Sequence, residues 1–397
     1  MKIAISTSVI QRGKTGVAQY VFALVRALRR YSEEHDFYLL ALEEDRHLFD
    51  FATDKMTVVP VGERWRPAVK NVLWHQAVLP DCLRQHGIDV LHVPSYRRMV
   101  ARVPCAKVAT IHDLAPFHVR GKYDAARMLY GRVVARALAR AQDQIIAVSG
   151  NTAKDIERFF GVPADRQRVI WNGLDHHRFH LGNGPADRCQ AVQRWGLSAP
   201  FFLYVSRLEH PGKNHVRLIE AFTRFKAATG SSWQLVLGGS DWHGAEVIRA
   251  AAAASRFAAD IRFLGFVDDA DLPALYRAAG AMVYPSLFEG FGMPPLEAMA
   301  CGCPVISSGA GSLAEVVGDA ARLIAPTSIP DIEQALALVS TNESLRSELI
   351  AAGLRRARLF DWDRAALEVF AVYQAAARRR HGVSRCDVSA MPVGLTL

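Results

Sequence analysis

Two glutamates eight positions apart, Glu289 and Glu297, lie in the segment richest in chemically suggestive residues, YPSLFEGFGMPPLEAMACGCPVI. Glu289 falls in a loop after the strand-like run AMVYPS, and Glu297 inside a helix opened by Pro294 and Pro295. Proline suits a first helical turn, where its missing N–H is not needed. Gly290 and Gly292 allow close approach of backbone to a ligand. Free amides at this helix start can face phosphate. Carboxylates placed there can accept hydrogen bonds from sugar hydroxyls. On residue type alone, Glu297 also reads as a first-turn carboxylate favoured by the helix dipole.

A second group lies in YVSRLEHPGKNH, where the strand-like FFLYVS ends before Arg207 and a Pro211-Gly212 turn returns Lys213 towards it. Two cations converging on a strand end can neutralise a diphosphate without a metal; unpaired surface cations are the alternative. His112, at the carboxyl end of KVATI and followed by Asp113, can donate a hydrogen bond into a cleft or be a structural histidine. In the first loop, Gln11–Gly16, Gly13 and Gly16 frame Lys14 and Thr15 before a helix whose start can hold an anion. That loop competes with a phosphate-wrapping P-loop, but Ser8 stands where that motif needs its first glycine. Asp269 and Asp271 imitate a metal-binding pair, yet DDADLPALYRAAG reads as an N-cap opening a helix. No metal is expected. Arg132, Arg136 and Arg140 form one basic stripe beside Met128, Leu129, Val133, Val134 and Leu138. The stripe reads either as a solvated helix face or as a surface for an anionic membrane.

The elements that must position these groups alternate between β-branched runs and helical stretches, the pattern of parallel α/β sheets. KIAIS, DFYLLAL, MTVVPV, DVLHV, KVATI and QIIAVS read as strands of a first sheet. FFLYVS, WQLVLGG, IRFLGF, AMVYPS and CPVISS read as strands of a second. Expected helices include 18–30, 127–141, 151–160, 215–229, 245–254, 271–279, 295–300, 313–317 and 363–380. In open parallel sheets, ligands sit beyond the carboxyl ends of the strands, where all of these loops fall. At ~100–200 residues per domain, 397 residues allow two or three domains. We expect 1–180 and 181–360 as two Rossmann-like domains, with the segment 183–199 between the two blocks. A final helix is expected over 361–380, and a mobile tail over 381–397.

The composition, 50% hydrophobic and 22% charged, is that of a globular chain. No apolar run approaches the ~20 residues that span a bilayer, and the first residues lack signal-peptide character, so a cytoplasmic chain is expected. Six scattered cysteines without a CxxC pair read as reduced thiols. Residues 1–175 carry 26 basic and 18 acidic side chains, net +8, whereas 176–397 carry net +1. The basic half calls for an anionic partner, and no nucleic-acid motif accompanies it. A membrane surface, on its cytoplasmic face, or an anionic acceptor fits.

Taken together, EGFGMPPLEAMACGCPV with its E-x7-E spacing, SRLEHPGKN and the glycine-containing first loop resemble the retaining glycosyltransferases of GT-B fold, family 4. The resemblance runs to about Arg380. It implies two Rossmann-like domains with parallel sheets facing across a cleft, and a C-terminal helix crossing back onto the first domain. It further implies that Glu289 binds donor-sugar hydroxyls and Glu297 the nucleotide ribose. Arg207 and Lys213 would grip the diphosphate, and His112 would contact the transferred sugar. Gly16 would approach the diphosphate from the opposite domain, the amides of Phe291, Gly292 and Met293 would face sugar and phosphate, and Gly265–Val267 would lie near the base. Lys14-Thr15 between Gly13 and Gly16 departs from the family's usual Gly-Gly loop.

The donor implied is a nucleotide-sugar bound as substrate, GDP-mannose first and UDP-glucose second, with no separate cofactor. The acceptor implied is a saccharide or lipid-linked saccharide of surface-polysaccharide assembly, by resemblance to bacterial mannosyltransferases. Other classes are a P-loop NTPase, which leaves E-x7-E without a role, a non-catalytic GT-B scaffold, and a sugar-nucleotide epimerase.

Overall fold

The computed structural model describes residues 1–119, 128–182, 193–197 and 200–380. The tail 381–397, most of the segment 183–199, and Cys189 and Cys386 lie outside the described residues. Cys82, Cys105, Cys301 and Cys303 are free thiols.

The chain forms two all-parallel sheets. The first takes β1 (Lys2–Ser6), β2 (Asp36–Leu42), β3 (Thr57–Val61), β4 (Val90–Val93), β5 (Ala106–Ile111), β6 (Gln144–Ala147) and β7 (Gln167–Val169), ordered 3-2-1-4-5-6-7. The second takes β8 (Phe201–Val205), β9 (Gln234–Gly238), β10 (Ile261–Gly265), β11 (Ala281–Tyr284), β12 (Val305–Ser308) and β13 (Arg322–Ile324), ordered 10-9-8-11-12-13. Every residue of β4, β5, β11 and β12 is buried, as expected of parallel strands covered by helices on both faces. The two short edge strands β7 and β13 carry too little apolar pattern to be read from sequence.

In each sheet the strand order reverses once, between β1 and β4 and between β8 and β11. Ligand crevices of doubly wound sheets open at such switch points. The loops after β8 and β11 carry Arg207 with Lys213, and Glu289, respectively.

Helix Gly16–Leu28 starts at Thr15, whose hydroxyl accepts from the Ala18 amide. In the second sheet, helices His215–Thr229 and Leu313–Val317 keep the limits expected of them. Among the described residues, the α-helices Ala68–Ala77, Leu79–His86, Ile329–Thr341 and Glu343–Ala357 carry no expectation from sequence.

The last helix, Trp362–Arg380, buries Ala366, Val369, Tyr373 and Ala376 in the core of the first sheet. Phe370 stacks on Tyr31 at 4.4 Å between ring centres, and the Tyr373 hydroxyl meets His92 Nδ1 at 2.7 Å. Where the chain returns, it runs beside its outgoing strand: the Leu174 amide donates to the Phe360 carbonyl at 3.2 Å. A Cβ on Gly173 would fall 2.3 Å from the Trp362 nitrogen, so only glycine fits between the two crossings.

The basic stripe does not act as one unit. A π-type turn, Tyr130–Ala135, precedes helix Arg136–Arg140, and Arg140 is drawn off to donate to the Phe160 carbonyl at 2.8 Å. Gly131, Ala135 and Ala139 face the core, leaving Leu129, Val133 and Val134 exposed beside Arg132 and Arg136.

Candidate active site between the two sheets

Lys213 and Glu289 arrive from neighbouring strands and meet. The Lys213 Nζ donates to Glu289 Oε1 at 2.6 Å, with 16% of each side chain exposed. The Tyr284 hydroxyl, at the end of β11, donates to the same oxygen at 3.1 Å. Below them, the Tyr204 hydroxyl donates to the Lys213 carbonyl at 2.7 Å, and the Leu287 amide to the Gly212 carbonyl at 3.0 Å, so the two loops are tied as one unit. Burial works against the Lys213 charge, but Glu289 beside it outweighs that, and its pKa rises. Lys213 therefore keeps its charge at neutral pH.

The turn that returns Lys213 contains a cis His210–Pro211 peptide, and Asn214, with φ of +63°, opens the next helix while its amide group donates to the Pro285 and Pro326 carbonyls. Arg207 is not drawn into the pair. Its guanidinium is half exposed over the Trp242 ring, 4.9 Å from the centre, and reaches Glu209 at 3.3 Å.

Glu297 faces inward from helix Met293–Ala300, which begins after Gly292 at φ +111°. The Tyr276 hydroxyl donates to its Oε2 at 2.9 Å. Burial lifts the Glu297 carboxyl to about 7, against the opposing pull of Tyr276 and Arg178. Phe291 is buried edge-on to Phe360, with ring centres 5.8 Å apart. Gly265 has φ +70° and open space at its Cα, while the Val267 side chain belongs to the second core and packs on Gly238. Any contact of Val267 with a base therefore falls to its backbone. Asp271 sits at the start of helix Leu272–Ala278 but makes no side-chain cap; its carboxylate pairs with Arg194 instead. Asp269 pairs with Arg178 at 3.6 Å.

The first domain supplies the facing wall. His112 Nε2–H donates to the Pro94 carbonyl at 3.2 Å, and its ring meets Tyr20 edge-on at 4.6 Å. Burial pushes its pKa down to about 4, so the ring is neutral. Gly290 lies directly on it: a Cβ there would fall 1.8 Å from the His112 carbonyl oxygen. Gly16 is exposed at its helix start, with open space around its Cα. Ser8 is buried and Thr15 is spent on capping, neither free in the manner of a P-loop.

The structure thus brings Lys213, Glu289 and the His112 backbone together through Gly290, and leaves Arg207 and Gly16 at the rim. Sequence reading missed Tyr284 and Tyr276, which stand where strand AMVYPS ends and inside LPALYRAAG. It also missed Ser149, Thr152 and Glu315, which bridge the domains; nothing in their local sequence marks them.

Two sequence families match. Residues 14–178 match Glycosyltransferase Family 4, and residues 188–356 match Glycosyl transferases group 1. The Escherichia coli protein named O-antigen chain mannosyltransferase B is 28% identical over 94% of this chain and 100% of its own. The MMP alpha-(1->4)-mannosyltransferase of Mycolicibacterium hassiacum is 30% identical over 75% of this chain and 72% of its own. Among solved structures, sucrose-phosphate synthase from Thermosynechococcus elongatus superposes with a TM-score of 0.76 at 20% identity, over 97% of this chain and 100% of that one. Two parallel sheets in this order, and these matches along both halves, make the chain a member of the GT-B glycosyltransferases of family 4, the group 1 glycosyl transferases.

Proposed function

We propose that the protein transfers mannose from GDP-mannose, with UDP-glucose as second candidate donor, to a saccharide or lipid-linked saccharide in the assembly of a surface polysaccharide. The Lys213–Glu289 pair at the β8/β11 switch point carries this reading. The mannosyltransferase names of the two relatives support the choice of sugar.

Breaking the anomeric C–O bond loads negative charge onto the departing diphosphate. In this reading Lys213, Arg207 and the amides of Phe291, Gly292 and Met293 take that charge, which is usually the largest catalytic contribution. Glu289, held by Lys213, accepts hydrogen bonds from sugar hydroxyls, and Glu297 those of the ribose. Glu289 is engaged by a lysine and a tyrosine, and the reading is of same-face attack with retention rather than double displacement through a carboxylate pair. The departing phosphate then takes the acceptor proton.

The test is calorimetric titration of GDP, UDP, ADP and dTDP without metal, on the unaltered protein and on Glu297→Ala. One nucleotide should bind, and the variant should bind it about tenfold or more weakly, the loss of an interaction to a charged group. Binding of ATP alone, with magnesium, would overturn the reading.

We place the protein at the cytoplasmic face of an anionic membrane. Among the described residues, no helix is long and apolar enough to cross one. Support comes from three neighbouring elements without an acidic residue: helix Ala68–Ala77, turn Tyr96–Arg98 and residues 128–140. They expose Val69, Leu73, Leu129 and Val133 beside Lys70, Arg97, Arg132 and Arg136. Apolar side chains rimmed by arginine suit an anionic bilayer surface. Vesicles containing phosphatidylglycerol should float the protein, and the Arg132→Glu/Arg136→Glu/Val133→Asp variant should remain at the bottom of the gradient. Equal flotation of both would make the stripe a solvated face.

A further inference from the structure

One carboxylate outside the donor site joins the two domains. Glu315, on helix Leu313–Val317 of the second domain, reaches the helix start Gly150–Asp155 of the first. The Gly150 amide donates to its Oε1 at 2.8 Å and the Asn151 amide to its Oε2 at 3.1 Å; the Trp171 indole N–H donates to Oε1 at 2.7 Å. A carboxylate is the group a helix start attracts, through both its free amides and its dipole.

The same helix start holds the donor loop. Ser149 and Thr152 hydroxyls donate to the Gly290 carbonyl at 3.0 and 3.2 Å. From the second domain, the Ser312 hydroxyl and amide donate to the Glu289 carbonyl at 2.7 and 3.1 Å. Glu289 and Gly290 are therefore clamped between segment 312–315 and helix start 149–152, and Glu315 closes the ring. A cavity of about 280 Å³ lined by Trp171, Asn172, Glu315 and Phe360 adjoins this joint beside the chain crossings.

We propose that Glu315 is a positioning residue that couples closure of the two domains to the placement of Glu289. With the domains together, its carboxylate caps the first-domain helix, and that helix in turn seats the Gly290 carbonyl and the adjoining Glu289. With the domains apart, both contacts are lost at once. Nucleotide affinity belongs to the second domain and survives loss of the joint; turnover, which needs the closed arrangement, does not.

The kinetic arm rests on the transferase reading; the spectroscopic arm does not. In protein labelled with ¹⁵N-tryptophan, the Trp171 indole resonance, assigned through Trp171→Phe, should move when GDP-mannose or UDP-glucose is added, and should lose its carboxylate-bonded shift in Glu315→Gln. Glu315→Gln places an amide N–H₂ against backbone N–H groups. It should lower kcat about tenfold or more while nucleotide Kd stays within about twofold, the signature of a contact made in the closed state. Trp171→Phe, which removes only the indole donor, should lower kcat by a smaller factor in the same direction, and Glu315→Asp should restore part of it. An unaltered kcat in Glu315→Gln, or a nucleotide Kd weakened as much as kcat falls, would overturn the proposal. If the unaltered protein turns over no donor, the functional reading fails, and an indole resonance identical in unaltered and Glu315→Gln protein overturns the joint independently.

Discussion

Lys213→Met is expected to lower kcat/KM about 10²–10³-fold, the cost of losing one preorganised donor to developing charge. Two effects combine in that variant, and they can be separated. The first is catalytic: Lys213 is the β8-loop cation bonded to Glu289, while Arg207 lies over Trp242. The second is structural. Removing Lys213 leaves the Glu289 carboxylate largely buried without its cation, and breaking such a pair typically destabilises by about 3–5 kcal/mol. The sharper variant is therefore Lys213→Met with Glu289→Gln, which removes both charges at once. Its melting temperature should return most of the way to that of the unaltered protein, because a neutral buried pair costs little. Its activity should stay well below that of Glu289→Gln alone, the comparison needed because Glu289 itself is read as binding the donor sugar. If the double variant recovers activity with stability, Lys213 holds the loop and does not act on the diphosphate. Lys213 stays protonated well above neutral pH, because Glu289 more than offsets its burial. The pH–rate profile should accordingly show no limb from Lys213 in the neutral range.

The strands of both sheets were legible because parallel strands covered on both faces must be continuous apolar runs; β4, AKVATI and AMVY are buried throughout. The three-residue edge strands Gln167–Val169 and Arg322–Ile324 were not, since an edge strand can be short and polar without losing its place. Lys213 and Glu289 were legible as separate candidates because each follows a strand end. Their contact was not, because it depends on β8 and β11 lying side by side, which strand order decides and local sequence does not. Arg207 was expected beside Lys213, but a tryptophan two elements away, Trp242, offers its guanidinium a ring to lie over. The arginine stripe divided for a related reason: the Phe160 carbonyl sits within reach of Arg140 and not of Arg132 or Arg136. Glu315 is the furthest from legibility. Its partners lie 144 to 165 positions away along the chain, and only the packing of the two domains brings them within hydrogen-bonding distance.

Affinity for the nucleotide-sugar is expected to fall as pH drops through about 7, because the Glu297 carboxyl must be ionised to accept both ribose hydroxyls. Burial lifts this carboxyl to about 7 from an ordinary 4.5, while the Tyr276 hydroxyl and the Arg178 charge pull it down and Asp269 adds to the rise. Below that point each bound donor must displace one proton, so Kd should weaken towards about tenfold per pH unit. GDP-mannose is the appropriate probe because its diphosphate is esterified at both ends and has no group titrating near neutrality. His112 and His215 stay neutral across the same window, since burial holds them at about 4 and about 3. Stability runs the other way. A carboxyl whose pKa is raised on folding contributes stability that is complete below its unfolded value and is lost as pH rises through about 7. From pH 5 to 8, then, this one residue should strengthen donor binding while lowering the melting temperature of the ligand-free protein. Glu297→Gln should flatten both dependences together, leaving weak, pH-independent binding. A slope that persists in Glu297→Gln would assign the titration to another group and remove Glu297 from the ribose site. The opposed trends also explain how a buried, partly protonated carboxyl can be kept at a binding site: the donor ribose supplies the hydrogen bonds that the empty pocket withholds, and it is on binding, not on folding, that the charge is formed.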